Sequence, residues 1–157
     1  MNDLNVRAAI AEDASNIARL WIQCTIEVAR LEPVYTPAID QDKLAGILEA
    51  ELAASQRFAW VAMQNDLLAG YVTCHIEEEL PLFIQRRYLY VIDLDVSPDY
   101  RGRGLSHMLM NRVETFAREN GINRLELAYV TEDSRSQKVW ERHGFKPYFV
   151  YAFKTLD

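Results

Sequence analysis

The stretch from Tyr88 to Leu109 constrains the fold more than any other part of the sequence. It begins with YLYVIDLDV (Tyr88–Val96), a mostly apolar and aromatic run that is typical of a central strand buried on both faces. A turn containing Gly102 and Gly104 follows, and apolar residues then recur at helical spacing. Glycine costs backbone entropy, so it is expected where φ must be positive or where another group approaches the backbone. The stretch therefore predicts a strand, a tight turn and a helix in direct succession.

Hydrophobic periodicity and turn residues predict the other elements. The predicted strands are Asn5–Ile10, Arg57–Gln64, Leu67–Ile76, Tyr88–Val96, Arg124–Val130 and Lys146–Phe153. The predicted helices are Glu12–Leu31, Asp40–Leu52, Leu105–Asn120 and Asp133–Arg142. The order β α α β β β α β α β combines strand–helix–strand units with a hairpin. It predicts an α/β (α+β) fold in which a mixed sheet carries helices on both faces. Nothing divides the chain, so residues 1–157 are expected to form a single domain.

Charge and cysteine content narrow the class of protein. The formal net charge of −6 argues against broad nucleic-acid binding, which needs a basic face. Cys24 and Cys74 are expected to be buried free thiols of a reducing compartment, and no cysteine or histidine spacing suggests a metal site. No run approaches the ~18 apolar residues of a membrane helix. The start of the sequence lacks the apolar segment of a signal peptide, so a cytoplasmic location is expected.

The glycine turn has the properties of an anion site. Unpaired N–H groups and the helix dipole favour negative charge at a helix N-terminus. Gly102 and Gly104 remove Cβ atoms that would hold an anion away, and Arg101 and Arg103 add positive charge. The pattern is not a nucleotide P-loop, and it fits the dinucleotide fingerprint poorly because Met108 occupies the place of the third glycine. A plain helix cap with solvated arginines is the alternative.

The sequence resembles the GNAT family of N-acetyltransferases at three places. The family's pyrophosphate loop, R/Q-x-x-G-x-G/A, corresponds to Arg101–Ser106, with serine in place of the last small residue. The segment DSRSQKVWERHGF (Asp133–Phe145) is similar to the family's N-x-x-A-x-x-L-Y-E-K-x-G-F, and FAWVAMQNDLLAGYV resembles its second and third strands. The resemblance implies an acyl-CoA N-acyltransferase fold with a splayed central sheet of about six to seven strands.

The resemblance also implies where acetyl-CoA, the acetyl donor, binds. Main-chain amides of the glycine turn would hold its pyrophosphate, at Arg101, Gly102, Arg103, Gly104, Leu105, Ser106 and His107. The end of the central strand would pair with the pantetheine arm through Leu94, Asp95 and Val96, and an N–H near Val96 would polarise the thioester carbonyl. Further cofactor contacts are implied at Asp133, Ser136 and Trp140.

Two carboxylates in the central strand are candidates for proton transfer. An alkylamine has a pKa near 10 and must lose a proton before it attacks, so a carboxylate or a water chain must accept that proton. Asp93 and Asp95 point the same way from an otherwise apolar strand, where an unpaired carboxylate is costly. Asp93 is the candidate for amine binding or proton relay. A purely structural hydrogen-bonding role is the alternative.

Trp140 departs from the family pattern. Many relatives place there a tyrosine that is thought to protonate the leaving thiolate, whereas an indole N–H cannot titrate. A thiolate with a pKa near 8.5 is a tolerable leaving group without an acid, so Trp140 is also compatible with a core role. Asp133 replaces the family's asparagine and serves equally well as a helix cap.

The resemblance therefore implies an acetyl-CoA-dependent N-acetyltransferase that acts on a primary amine. A small cationic acceptor is favoured by the acids at Asp93, Asp95 and Glu77–Glu79. A peptide amine is the alternative acceptor. The rival is a non-catalytic acyl-CoA sensor or partner-binding module, which Trp140 favours. The aromatic run PYFVYAF is expected to be an inner strand or the contact of a homodimer.

Overall fold

Five strands and four α-helices are found among residues 4–84 and 86–156, the part of the chain that the computed structural model describes. The strands are β1 (Leu4–Ala8), β2 (Phe58–Gln64), β3 (Leu67–Glu78), β4 (Arg87–Val96) and β5 (Leu125–Glu126). The helices are α1 (Ala14–Ala29), α2 (Gln41–Ala53), α3 (Leu105–Glu119) and α4 (Ser134–Arg142). None of the helices in these two ranges has the length and apolar character needed to cross a bilayer.

The strands form one mixed sheet in chain order. β1, β2, β3 and β4 pair antiparallel with their neighbours, and β5 joins β4 in parallel. The connection from β4 to β5 runs through α3, because a parallel pair needs a crossover. This arrangement confirms the predicted mixed sheet with helices on its faces.

β4 and β5 separate soon after they meet. β3 pairs with β4 along its whole length, from Arg87 to Val96. On the other side, β5 contacts β4 only through the pairs Leu89–Leu125 and Tyr90–Glu126. The edge of β4 from Val91 to Val96 therefore has no strand beside it among the described residues. This is the predicted splay.

Successive side chains of a strand point to opposite faces of the sheet, so the sheet has an apolar core on each face. On one face, Val72 and Leu89 pack against Leu109 and Val113 of α3. On the other, Tyr71 and Val61 pack against residues of α1 and α2. Asp93 and Asp95 are register partners of Thr73 and Tyr71, so their side chains lie on the α1 face.

Two of the predicted strands differ from the structure. The strand expected over Arg124–Val130 is reduced to Leu125–Glu126, because the chain turns away from β4 after two residue pairs. The last strand, expected over Lys146–Phe153, is wrong. No strand is assigned there and its side chains project into solvent, because its backbone finds no neighbouring strand among the described residues. The described sheet thus has five strands instead of six or seven.

Gly70 is required by the close approach of β3 and β4. A Cβ atom at Gly70 would lie 2.8 Å from the main-chain oxygen of Asp95. We expect Gly70→Ala to lower the free energy of unfolding by about 1–3 kcal/mol, because the two strands must move apart. Gly46→Ala is the matched control. Gly46 lies in α2 with nothing within 4 Å of the added Cβ, so this change should stabilise by ~0.5–1 kcal/mol. Urea denaturation of both variants measures the difference. Equal effects would contradict the strand contact.

Candidate functional site

The glycine turn between β4 and α3 has the backbone conformation that the sequence predicts. Gly102 has φ 76° and Gly104 has φ 78°, both in the left-handed region that side chains disfavour. Gly104 is the N-cap of α3, and no side chain caps the helix there. Nothing lies within 4 Å of the Cβ position of either glycine, so the turn opens outward.

A row of main-chain amides is left free by this turn. The N–H groups of residues 102–106 donate to no backbone carbonyl among the described residues. The next two are used inside the helix, where His107 and Met108 donate to the oxygen of Gly104 at 3.0 and 3.2 Å. Free N–H groups at a helix N-terminus, with the helix dipole behind them, suit a diphosphate. The residues present therefore fit the pyrophosphate of a nucleotide cofactor.

The side chains of the first turn of α3 face different surroundings. Leu105 is buried in the core beneath the sheet. Ser106 is half-buried, and His107 is exposed with its ring centroid 4.3 Å from that of His143. These side chains do not share a direction, whereas the main-chain amides of the turn together face the open side.

The side chains of the two arginines of the turn point in different directions and have different partners. Arg101 turns towards α1, where it donates from Nε to the oxygen of Val96 at 3.1 Å and from Nη2 to both carboxylate oxygens of Glu27 at 3.1 Å. Arg103 is exposed and donates to the oxygen of Asp99 at 3.0 Å. Glu27 therefore neutralises Arg101, while Arg103 keeps its charge at the solvent side of the turn.

Glu27 also reaches α4. Arg135 donates to its Oε2 at 2.8 Å, so one carboxylate joins α1, the glycine turn and α4. Burial would raise the pKa of Glu27, but the hydrogen bonds from Arg135 and Arg101 outweigh it and hold that pKa below its usual range. We call Glu27, Arg101 and Arg135 the Glu27 cluster. It fixes the positions of three elements around the end of β4.

The end of β4 presents main-chain groups to the gap beside β5. Ser97 donates its N–H to the oxygen of Ala69, on the β3 side, at 2.9 Å. Backbone groups alternate in direction along an extended strand, so the N–H of Val96 points to the opposite, unpaired edge. Leu94 shares this direction. An amide here can donate to a carbonyl oxygen placed in the gap.

Asp93 is held by three side chains on the α1 face of β4. Trp21 donates to its Oδ1 at 3.1 Å, and Thr73 donates to its Oδ2 at 3.2 Å. Arg57 Nη1 lies 3.7 Å from the same oxygen. Burial raises the pKa of Asp93, although these partners oppose the rise. The side chain is still 23% exposed, so it can meet a ligand.

Asp95 is compensated less well: hydrogen bonds from Tyr71 and Cys24 and the positive charge of Arg101 lower its pKa, but burial and the charge of Asp93 outweigh them. The fully buried Tyr71 donates to its Oδ2 at 2.7 Å. Burial, and after it the negative charge of Asp93, raises the pKa of Asp95 to about 7. A carboxylate with such a pKa can both take up and release a proton near neutral pH.

Comparison with known proteins identifies the family and the architecture. The family model described as the Acetyltransferase (GNAT) family matches residues 17–145. The chain belongs to this family. Streptothricin acetyltransferase of Streptomyces lavendulae is 32% identical over 109 residues, which are 69% of this chain and 51% of that protein. The chain thus spans about half the length of this relative.

Solved structures with the same fold superpose over nearly all of the chain. A mutant of the BH1408 protein from Bacillus halodurans has a TM-score of 0.85 at 18% identity, covering 97% of this chain and 99% of that one. An acetyltransferase from Clostridium acetobutylicum, solved with acetyl-CoA, has a TM-score of 0.75 at 19% identity, covering 97% and 96%. The predicted fold class is confirmed, and so is acetyl-CoA as the donor that this GNAT fold uses.

The second GNAT segment builds the start of α4. Asp133 is the N-cap and accepts from the N–H groups of Arg135 and Ser136 at 3.2 and 3.1 Å. Ser136 Oγ donates to the other carboxylate oxygen at 2.6 Å. Trp140 is 8% exposed and packs edge-to-face on Phe145, 5.5 Å away. Asp133 and Ser136 thus stabilise the first turn of α4, and Trp140 packs the helix into the core on the α3 face of the sheet.

Several residues of this GNAT site were missed by the sequence analysis. Trp21, Glu27 and Arg57 contact groups that lie 36–108 residues away in the sequence. One signal was available for Glu27, which comes three residues after the buried Cys24 and so interrupts the apolar side of α1. Nothing local in the sequence marks Trp21 or Arg57.

The Glu27 cluster yields a stability prediction. We expect Glu27→Gln to lower the free energy of unfolding by only about 1 kcal/mol at neutral pH, since its arginines are partly exposed and screened by solvent. The pKa of Glu27 is lowered in the folded protein, so its contribution is present above 4.5, the ordinary value, and is lost as the pH falls through the folded pKa.

Urea denaturation at a series of pH values tests this prediction. The difference between wild type and Glu27→Gln should shrink as the pH falls below 4.5. Glu49→Gln is the matched control, because Glu49 is an exposed glutamate of α2 without a hydrogen bond or ion pair in the described part of the chain. A difference that does not depend on pH would contradict the ion-pair account.

Proposed function

We propose that this protein transfers the acetyl group of acetyl-CoA to a primary amine of a small cationic molecule, by direct attack of the amine on the thioester. The observation that carries the proposal is the position of Asp93 and Asp95. Both carboxylates lie on β4 beside its unpaired edge, and the free amides of the glycine turn follow them directly. Donor and acceptor sites thus meet at the end of one strand.

The donor would be held by main-chain groups. The free N–H groups of residues 102–106 would hold its pyrophosphate, with Arg103 adding positive charge at the solvent side. Acetyl-CoA supplies a thioester, whose carbonyl carbon is open to attack by an amine. The N–H of Val96 would donate to the carbonyl oxygen, where negative charge develops.

Substitution of Gly104 tests the donor site. We expect Gly104→Val to weaken acetyl-CoA binding by at least about tenfold, because a side chain at φ 78° strains the turn and covers the free amides. Gly121→Val is the control. It introduces the same kind of strain, at φ 69°, beyond the far end of α3. Isothermal titration calorimetry with acetyl-CoA should separate the two variants, and equal affinities would refute the assigned site.

The surroundings of the carboxylates favour a cationic acceptor. Trp21 lies beside Asp93, and Tyr90 stacks on His75 with ring centroids 5.5 Å apart. His75 in turn lies 2.7 Å from a carboxylate oxygen of Glu77. Carboxylates bind an ammonium group directly, and aromatic faces attract cations. A small molecule with more than one positive charge would therefore be bound well here.

The proton of the amine would go to Asp95. An ammonium group binds at Asp93, whose position Trp21, Thr73 and Arg57 fix. Asp95 accepts one proton from it, and the neutral nitrogen then forms the C–N bond while the C–S bond breaks. The nitrogen, positively charged after the attack, releases its second proton to water to give the neutral amide. The thiolate leaves and takes a proton from water, since Trp140 offers no titrating group and is packed in the core.

The two aspartates give different pH profiles if this division of roles is correct. In wild type, kcat/KM should rise with pH and level off above about 7, the pKa of Asp95. We expect Asp95→Asn to abolish this rise, the acid limb of the pH profile, and to lower kcat by about 10²-fold or more. Asp93→Asn removes a neighbouring negative charge, so the pKa of Asp95 falls and the limb should move to lower pH.

A thiol-release assay with a panel of diamines and amino sugars measures these profiles. Asp66→Asn, an exposed acid in the turn between β2 and β3, is the control and should leave the profile unchanged. Loss of the acid limb in Asp93→Asn, with the limb retained in Asp95→Asn, would reverse the two roles.

A non-catalytic acyl-CoA-binding module is the second candidate function. Trp140 favours it, because the family's usual acid is replaced by a residue buried in the core. The same assay distinguishes the two functions. Tight acetyl-CoA binding without turnover of any amine in the panel would support the module.

A further inference from the structure

Two side chains of α1 connect the carboxylate of Asp95 with the glycine turn. Cys24 and Glu27 lie three residues apart in this helix, so they share one side of it. Cys24 is a buried free thiol in the core beneath α1, and Glu27 is half-buried beside Arg101. The proposed acetyl transfer assigns no step to either side chain, although both lie next to groups that it uses.

The thiol of Cys24 contacts two charged groups. It donates a hydrogen bond to the carboxylate of Asp95. Nη2 of Arg101 lies 4.0 Å from its Sγ atom. Burial raises the pKa of Cys24 to about 12, so the thiol keeps its proton at neutral pH and stays a hydrogen-bond donor.

Glu27 holds Arg101 beside this thiol. Its two carboxylate oxygens accept from Nη2 of Arg101, while Nε of the same arginine donates to the oxygen of Val96 at 3.1 Å. The N–H of Ser97 points towards β3, so the oxygen of Val96, which belongs to the same trans peptide unit, points to the unpaired edge of β4. Arg101 therefore satisfies the last carbonyl of this edge and leaves the N–H of Val96 for the thioester.

The charged and titratable side chains that act on Asp95 come from four parts of the chain: Cys24 of α1, Tyr71 of β3, Asp93 of β4 and Arg101 of the turn. The charge of Asp93 raises the pKa of Asp95, whereas the other three groups lower it. Two of those three, Cys24 and Arg101, are placed by α1. The position of this helix therefore decides how readily Asp95 gives up its proton.

We propose that Cys24 and Glu27 are positioning residues of the transfer reaction, which hold Asp95 and Arg101 from one side of α1 and so join the proton acceptor to the donor-binding turn. Each acts through a neighbour, Cys24 through Asp95 and Glu27 through Arg101. The inference rests on the proposed function, in which Asp95 accepts the proton of the amine.

Opposite changes in the titration of Asp95 test this arrangement. Cys24→Ala removes a hydrogen bond to the charged carboxylate, so the pKa of Asp95 should rise by on the order of 0.5. Cys24→Ser supplies a hydroxyl donor and should bring that pKa back towards about 7. Glu27→Gln removes the anion that balances Arg101, so the positive charge acts more strongly on Asp95 and its pKa should fall.

Carboxyl ¹³C NMR of protein labelled at aspartate measures these titrations without any substrate, and Asp95→Asn identifies the resonance. Cys74→Ala is the matched control. Cys74 is also a buried thiol whose pKa is raised to about 12, but it lies in the core on the α3 face and should leave the titration of Asp95 unchanged. In the thiol-release assay, the acid limb of kcat/KM should move with the NMR titration of each variant.

The possible results separate the inference from the function on which it rests. A titration that stays in place in Cys24→Ala and Glu27→Gln, or that moves in the same direction in both, would overturn the inference. So would equal effects of Cys24→Ala and Cys74→Ala, which would indicate a general loss of packing. A titration that moves as expected while the acid limb stays in place would instead overturn the premise that Asp95 accepts the proton, and the inference with it.

Discussion

The separation of β5 from β4 is the constraint on which the rest of the site depends. Only Leu89 and Tyr90 of β4 have parallel partners, so the strand continues to Val96 with one edge bare. A buried strand edge without hydrogen bonds is costly. The cost is tolerable where a ligand with polar groups can lie along the edge. The glycine turn extends the same row of free amides into the start of α3.

The carboxylates of β4 illustrate how the fold offsets a buried charge. Arg57 comes from the end of the α2 connection, is itself only 18% exposed, and lies between Glu51 and Asp93. Its positive charge is shared by two acids, one structural and one in the site. Asp95 has hydrogen bonds from Tyr71 and Cys24 and the more distant charge of Arg101, but none of the described residues forms an ion pair with it. Two aspartates with the same chemistry and two residues apart therefore differ in their readiness to hold a proton.

The parts of the structure that local patterns govern could be predicted from the sequence. The positive φ of Gly102 and Gly104 follows from residue type and from their place between a strand and a helix. The extended aromatic run at residues 146–153 carries the same kind of local signal, and that strand was wrongly predicted. A strand needs a neighbour, and sequence propensity does not say whether one is available. The Glu27 cluster shows the same limit, because Glu27 and Arg101 are 74 positions apart.

The unpaired edge of β4 and the outer edge of β5 differ in the side chains beside them, and that difference separates their uses. Along the inner edge of β4 lie half-buried acids and free amides, which suit a polar ligand that comes and goes. Tyr148 contacts Glu126 of β5, and the aromatic residues that follow it, such as Phe149 and Phe153, are at least 65% exposed. Water solvates the first set well and the second poorly. The edge of β4 therefore suits reversible binding of a polar ligand, whereas the aromatic side chains after Tyr148 remain exposed at a free-energy cost of hydration.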